Sequence, residues 1–473
     1  MKQVQLDIIQ DCLMKKNKIA LFNIASTIIL QGLAFISGPI FSGRLGTDNY
    51  GIVAVYLTWV QITSTVFSLQ AGSTVALARI NFPEEDQQKY QSSVLSLATL
   101  SYAVFSVLTL FTVSFVQRWM NISVPMVIFG LFQGWGMYCV TFMNGKFTYE
   151  FKADKNFILS VSVSALTIGI SIFLISRFPV DSNYWGRIIG QSGVYTVIGL
   201  GILVFMICTG KTFFHEGYWK FTLPIAVPTI FHLLAHILLN QSDKVMLQGL
   251  VSNSAAGIYA LANTFGAVLN AVYSALNNSW VPFYYDYTQK NQITEMKHHA
   301  NNYIELFTIL TMGFILLCPE IFHLYAKPDF WKGTNLIPIF SIGYYFVFMY
   351  SFPVNYEFYN KKTKQIAIGT ITAAAANIVL NYIMIRIWGI FGAVSATMIA
   401  HGLQFGFHYI SAKKIKPGEF PFTLSHFFYG FFAVCGTCFL YWFTRDFWYV
   451  RWSIGIALGI YLIMKIIRRK EIF

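Results

Sequence analysis

The side chains best suited to chemistry in this sequence are few and sit in apolar surroundings. Asp243 and Lys244 stand side by side in NQSDKVMLQGL at 240–250, where the apolar stretch LPIAVPTIFHLLAHILL ends. Adjacent helical residues point about 100° apart and do not pair with each other. Each therefore needs a separate partner on another lobe of the protein, and the pair marks a hinge or gate; the plainer reading is a surface turn. Glu357, in NYEFYNKKTK, is the deepest acidic candidate for ion coupling, with an i, i+4 pair to Lys361 as its alternative. His232 and His236 are spaced i, i+4 and would suit a metal only if a third ligand faced them. None is evident, which leaves packing, cavity lining or proton handling.

Asn263, Asn270 and Asn277 recur at heptad spacing, with Asn278 beside the last. Amides at membrane depth need partners, and three in register suit the lining of a wet cavity, whereas one alone would be a bond between helices. His401, Gln404 and His408 share one face, and Asn377 and Asn381 another, where helix-to-helix bonds are the expected use. Arg44 and Lys244 toward outer ends of apolar segments, and Arg79 at an inner end, are the cations best placed for an anionic ligand. A guanidinium grips phosphate with two parallel bonds and an ammonium acts as a point charge; the alternative for each is an interfacial anchor.

Covalent chemistry finds no footing. The sequence has no nucleotide-binding P-loop, paired-carboxylate arrangement or nucleophile motif. The only close cysteine pair, CGTC at 435–438, lies in an apolar segment with no nearby carboxylate and is expected to pack. A non-enzyme without metal or cofactor is expected, its energy coming from ions (H+ or Na+), the membrane potential, or removal of product on the far side.

The elements that must hold these residues are membrane helices. The 473-residue chain is 56% hydrophobic and 11% charged, with a mean hydropathy of +0.55, more apolar than one soluble core can hide. Stretches of roughly 20 residues with few charges fall at 19–42, 51–78, 93–116, 122–144, 157–176, 186–209, 222–242, 256–284, 303–325, 335–359, 365–385, 389–411, 424–443 and 448–467. An all-α polytopic membrane protein of about 14 transmembrane helices follows. The net charge of +13 lies in short connections and forms no stripe, so it reports topology and not nucleic acid. Lys and Arg favour one side by more than two to one, which places both termini in the cytoplasm. No connection is long enough for a separate domain, so function must lie among the helices.

An internal echo organises the helices. RLGTDNYGIVAVY at 44–56 and KVMLQGLVSNSAAGIYALANTF at 244–265 each place a Gly before a polar turn and then Gly-Ile, with Gly51 and Gly257 206 residues apart. Six spans separate the copies, so the repeat is parallel: two six-helix lobes in pseudo-twofold relation plus two extra C-terminal helices. The expected divisions are 1–210, 211–416 and 417–473.

RLGTDNYGIVAVY, QAGSTVALARI at 70–80 and SDKVMLQGLVSNSAAGIYALAN at 242–263 resemble the multidrug/oligosaccharidyl-lipid/polysaccharide exporter superfamily, within it the polysaccharide transporters that include O-antigen (Wzx-type) flippases. The resemblance covers the first, second, seventh and eighth spans closely and the remainder by helix count. It implies a flippase that carries an undecaprenyl-diphosphate-linked oligosaccharide to the outer leaflet of the bacterial inner membrane by alternating access. Arg44, Arg79, Lys244, Asn263, Asn270 and Asn277 would then meet substrate, while Asp243, His232 and Glu357 gate or couple. Its partners would be that substrate, membrane lipid and polysaccharide polymerase machinery, with no nucleic acid and a monomeric state. The alternatives are an ion-coupled multidrug or toxin antiporter of the same superfamily, which normally has twelve spans, and a membrane polymerase, which would need a catalytic outer loop. Lipid II flippases can have fourteen spans but resemble one another in carrying arginine within the first, where 19–41 has none.

Overall fold

The computed structural model describes residues 2–469, and the side chains discussed below lie within 35–465. The chain divides into two compact units, one of Met1–Leu45 and Ile52–Ile237, the other of Gly46–Gly51 and Leu238–Phe473. Among the described residues regular structure is helical throughout, and twelve helices are long and apolar enough to cross a membrane. A helix bonds its own backbone groups, which hydrocarbon requires because it offers no water to do so. The protein is an all-α polytopic membrane protein.

Helix α1 (Lys2–Phe67) is two helical stretches that meet at a kink inside the polar stretch expected to separate the first two spans. At the kink Gly46 leaves helical geometry, at φ 71° and ψ 175°, a conformation open to glycine because it lacks a Cβ. One expectation is corrected just beyond it. The second span, expected to reach residue 78, ends at Phe67. Leu69 and Gln70 then take left-handed φ of 54° and 49°, before a 3-10 turn at Ala71–Thr74 and helix α2 (Val75–Asn81). Side chains hold this break: the Gln70 N–H donates to the Ser68 hydroxyl at 3.3 Å and the Gly72 N–H to the Tyr138 hydroxyl at 2.9 Å. Donors that a continuing helix would have bonded are satisfied elsewhere.

The first unit continues with α3 (Gln87–Phe111), α4 (Val113–Met120), α5 (Val124–Tyr149), α6 (Ala153–Ile175), α7 (Tyr184–Gly210) and the first part of α8 (Glu216–Leu250). Helix α7 packs against α3, α5 and α6. Only residues 150–152 join α5 to α6, so these packed helices run antiparallel and their C-termini lie at opposite ends of the unit.

The second unit holds the rest of α8, then α9 (Asn253–Gln289), α10 (Ile293–Tyr325), α11 (Ile337–Tyr359), α12 (Thr363–Trp388), α13 (Ile390–Ile415), α14 (Leu424–Thr444) and α15 (Trp448–Arg469). Helix α13 packs against α11 and α12, and α10 against α14 and α15. Its core is aromatic, with Trp280, Tyr303, Phe307, Phe348 and Phe352 in mutual contact. The segment 46–51 lies against the start of α9, where the two glycines of the sequence echo face each other. A Cβ on Gly51 would stand 1.9 Å from the Asn253 carbonyl oxygen, and one on Gly257 2.0 Å from that of Thr47. Ser254 donates to the Thr47 hydroxyl at 2.8 Å across the same crossing.

Helix α15 is fastened by Arg451, which is 1% exposed. Its guanidinium pairs with both carboxylate oxygens of Glu320 and also donates to the carbonyls of Leu316, Thr444 and Arg445 at 3.0, 3.1 and 3.1 Å. All five donors of the arginine are thus used, and Trp452 adds a bond to Glu320 at 3.0 Å. Arg451→Met is expected to lower stability by about 3 kcal/mol, at the low end for a broken buried pair, because Glu320 keeps 31% exposure. Thermal unfolding in detergent should show the loss, with Glu320→Gln affected at least as much because it leaves the buried guanidinium without its counter-ion.

Candidate functional site

Asp243 is the centre of a polar cage inside the second unit. Its carboxylate is 1% exposed and accepts from the Tyr259 hydroxyl of α9, the Asn381 amide of α12 and the Thr397 hydroxyl of α13, the last at 2.7 Å. Asn377 closes the ring: its Oδ1 accepts from Ser242 at 3.1 Å and from Asn381 at 3.0 Å, and its Nδ2 donates to Thr397 at 3.1 Å. Asn381 Oδ1 is buried without a partner. The expectation of a partner on another lobe is therefore corrected, since every bond to Asp243 comes from its own unit, where the later part of α8 lies beside α12 and α13. Lys244 points elsewhere, as adjacent helical positions must, and donates to Gln241 on its own helix.

The cage suits a small cation. No basic side chain forms an ion pair with Asp243 among the described residues; its hydrogen bonds all come from neutral donors, and the ammonium of the adjacent Lys244 acts on it electrostatically without touching it, a costly arrangement at membrane depth. The oxygen and nitrogen of an asparagine amide exchange places on a half-turn. With Asn381 turned, its orphaned oxygen would join the Asp243 carboxylate, Asn377 Oδ1 and Thr397 Oγ1 in an all-oxygen set of the kind hard cations take.

Glu357 and His408 form a second buried constellation. Nδ1 of His408 lies 2.8 Å from Oε2 of Glu357, and both side chains are essentially without exposure. The expected i, i+4 pair with Lys361 is absent because α11 ends at Tyr359 and Lys361 takes a left-handed φ of 58°, which carries it off the helical ladder. His408, grouped in the sequence with His401 and Gln404, reaches α11, a helix-to-helix bond of the kind expected of that face.

The asparagine stripe faces α11 in part. Asn263 accepts from the Tyr344 hydroxyl at 2.8 Å and Asn277 from the Asn355 amide at 3.2 Å, while Asn263, Asn270 and Asn277 stay half-buried and Asn278 is exposed. His232 and His236 lie on α8 in the first unit; Nδ1 of His232 is buried without a partner and His236 is exposed. Among the described residues no three His, Cys, Asp or Glu side chains gather as a metal set.

Arg44 and Arg79 are both exposed and both bond helix C-termini, a favourable place for a cation. Arg44 donates to the Ile172 carbonyl at 3.1 Å, and Arg79 to that of Tyr149. Since α5 and α6 are antiparallel, the two arginines stand at opposite ends of the first unit. Sequence reasoning overlooked Lys146, which is nearly buried on α5 and bonds Gln91 and Glu150, the latter at 2.7 Å. Burial pushes the Glu150 carboxyl up, but bonds from Lys146 and Lys152 outweigh it and hold it below the usual carboxylate range. The i, i+4 spacing of Lys146 and Glu150 was the available signal.

Residues 17–288 match the model of a family described as polysaccharide biosynthesis protein. The chain is 20% identical over 398 residues to Lsg locus putative protein 1 of Haemophilus influenzae, covering 78% of this chain and 92% of that protein. It is 19% identical over 357 residues to an uncharacterized membrane protein of the same organism, covering 70% and 81%. Among solved structures it is similar to the lipid II flippase MurJ in an inward closed conformation, at TM-score 0.71 and 17% identity over 95% of this chain and 99% of that one. An inward-facing multidrug resistance MATE family transporter of the MOP superfamily aligns at TM-score 0.58 and 13% identity, over 84% and 99%. At such identities these two structures share the fold.

Proposed function

Because the chain belongs to the polysaccharide biosynthesis protein family, we propose that it flips an undecaprenyl-diphosphate-linked oligosaccharide, the repeat unit of O-antigen or another surface polysaccharide. The movement runs from the inner to the outer leaflet of the bacterial cytoplasmic membrane, by alternating access and without covalent chemistry. Both termini lie in the cytoplasm. The observation that carries this reading is the Asp243 cage: a buried acid bonded only by neutral donors is the seat expected of a transported cation, H+ or Na+, whose gradient drives the substrate. Glue between helices would not need the charge.

A diphosphate carries about two negative charges and cannot cross hydrocarbon uncompensated without a cost of several kcal/mol. Arg79 meets it at loading, Lys244 and Arg44 toward release, and Asn263, Asn270 and Asn277 meet the glycan. The opposite placement of Arg44 and Arg79 in the first unit supports the first part of this sequence. Arg79 spends one bond on Tyr149 and keeps donors for a ligand.

The test is flipping of a fluorescent short-chain lipid-diphosphate sugar in vesicles containing the purified protein. Protein-dependent transfer is expected, reduced roughly tenfold by Arg79→Lys because the bidentate grip is lost. Transfer no faster than in protein-free vesicles would sink the reading, and efflux of a cationic dye in its place would favour an antiporter.

A further inference from the structure

We propose that Glu357 and His408 form a proton-binding site, separate from the Asp243 cage, that takes up and releases one proton in each transport cycle. It rests on the transport reading for its role but not for its chemistry. The pair joins α11 to α13 through a 2.8 Å contact between Nδ1 and Oε2. One N–H serves that contact whatever the total charge.

The remaining atoms are the informative ones. Oε1 of Glu357 and Nε2 of His408 are both buried, and neither has a hydrogen-bond partner. A polar pair kept only to pin two helices would have its leftover donors and acceptors bonded, as buried polar groups generally are. Here each leftover is a vacant place for a proton. With Nδ1–H donating to the carboxylate and Nε2 bare, the pair carries one negative charge. A proton arriving at Nε2 makes imidazolium and carboxylate, with no net charge; the same proton on Oε1 leaves a carboxylic acid and neutral imidazole, again with no net charge. No other bond is made or broken and no electron moves.

Two aromatic rings and a glycine surround the imidazole. Tyr350 of α11 stacks on the imidazole at 5.9 Å between ring centres, and Phe407 of α13 meets it edge-on at 5.4 Å. From α12 the contact is Gly369, where a Cβ would stand 2.6 Å from Nε2. No charged or titratable side chain of α9, α10, α12 or α14 bonds either member, and the side chains of Lys361, Lys362 and Lys364 make no bond to Glu357. Histidine is the side chain whose charge ordinarily changes near neutral pH, so the pair suits a proton, whereas the oxygen-rich Asp243 cage suits a metal cation.

The two sites share helix α13. Thr397 of the cage and His408 lie eleven residues apart on α13, about 16 Å at 1.5 Å per residue. Asn377 lies eight residues from Gly369 on α12, about 12 Å.

The experiment is a pH titration of histidine-labelled full-length protein in lipid nanodiscs, followed by nitrogen NMR. The His408 signal is assigned through its coupling to labelled Glu357 in the wild type and checked by its loss in His408→Gln. The expected result is that His408 reversibly gains and loses one proton over the titration, with proton affinity reduced about tenfold in Glu357→Gln. A His408 that keeps one protonation state throughout would overturn the proposal; the wild-type titration decides this even if the variants fold poorly. In vesicles, the pH dependence of flipping should flatten in Glu357→Gln. An unchanged pH profile overturns the role in transport, and vesicles that flip nothing at all indict the flippase reading while the titration still judges the proton site.

Discussion

Asp243→Asn is expected to abolish cation-driven export while the protein still reaches the membrane. The substitution keeps the shape of the side chain and one acceptor for Tyr259, Asn381 and Thr397, but removes the charge that makes the cage a cation seat. A cation bound at 100 times its dissociation constant stabilises the folded protein by about 2.7 kcal/mol. In the wild type, raising sodium from trace to saturating should therefore raise the apparent melting temperature, and in Asp243→Asn the melting curve should not respond. Losing a buried charge that no ion pair offsets also makes the variant at least as stable as the wild type without sodium. A variant that exports normally, or a wild type whose melting ignores both sodium and pH, would remove Asp243 from the coupling machinery.

Gly257→Ala and Gly51→Ala should each damage folding. Both glycines meet backbone, at 2.0 Å and 1.9 Å for the added carbon, and backbone cannot swing aside as a side chain can. The crossing must open, which strains the Ser254–Thr47 bond and the contact between Tyr50 and Phe330. Overpacking of this kind costs about 3 kcal/mol, and the better helix propensity of alanine returns about 1. A lower yield from the membrane and an apparent melting temperature several degrees down are the expected readouts. The double variant should be little worse than either single one, because the first substitution has already parted the helices and neighbouring effects do not add. Additive losses would show that the two positions do not share one crossing.

The helices were legible in the sequence because membrane spans announce themselves by length and apolarity, and Asp243, Glu357 and the asparagines stood out because polar groups are rare there. Their partners were not legible. Asp243 finds Asn381 and Thr397 138 and 154 residues further on, and Glu357 finds His408 51 residues away, distances at which no local periodicity carries information. The stretch around Gly46 read as a loop because its composition is that of a turn, yet one glycine torsion suffices to break the rod. The end of the second span at Phe67 was hidden for the opposite reason: the residues beyond it are adequate helix formers, and a tyrosine on α5 decides their conformation. Gly51 and Gly257 were visible as a repeat, but a repeat does not disclose that its copies touch.

The ribosome delivers Glu320 to the membrane well before Arg451, because 131 residues separate them. At 5 to 20 residues per second that interval is on the order of ten seconds. During it the acid of α10 waits for the base that neutralises it, and when Arg451 arrives, its guanidinium finds its counter-ion and three carbonyls already in place. Until α15 has been made, the acid of α10 stands without the base that pairs with it.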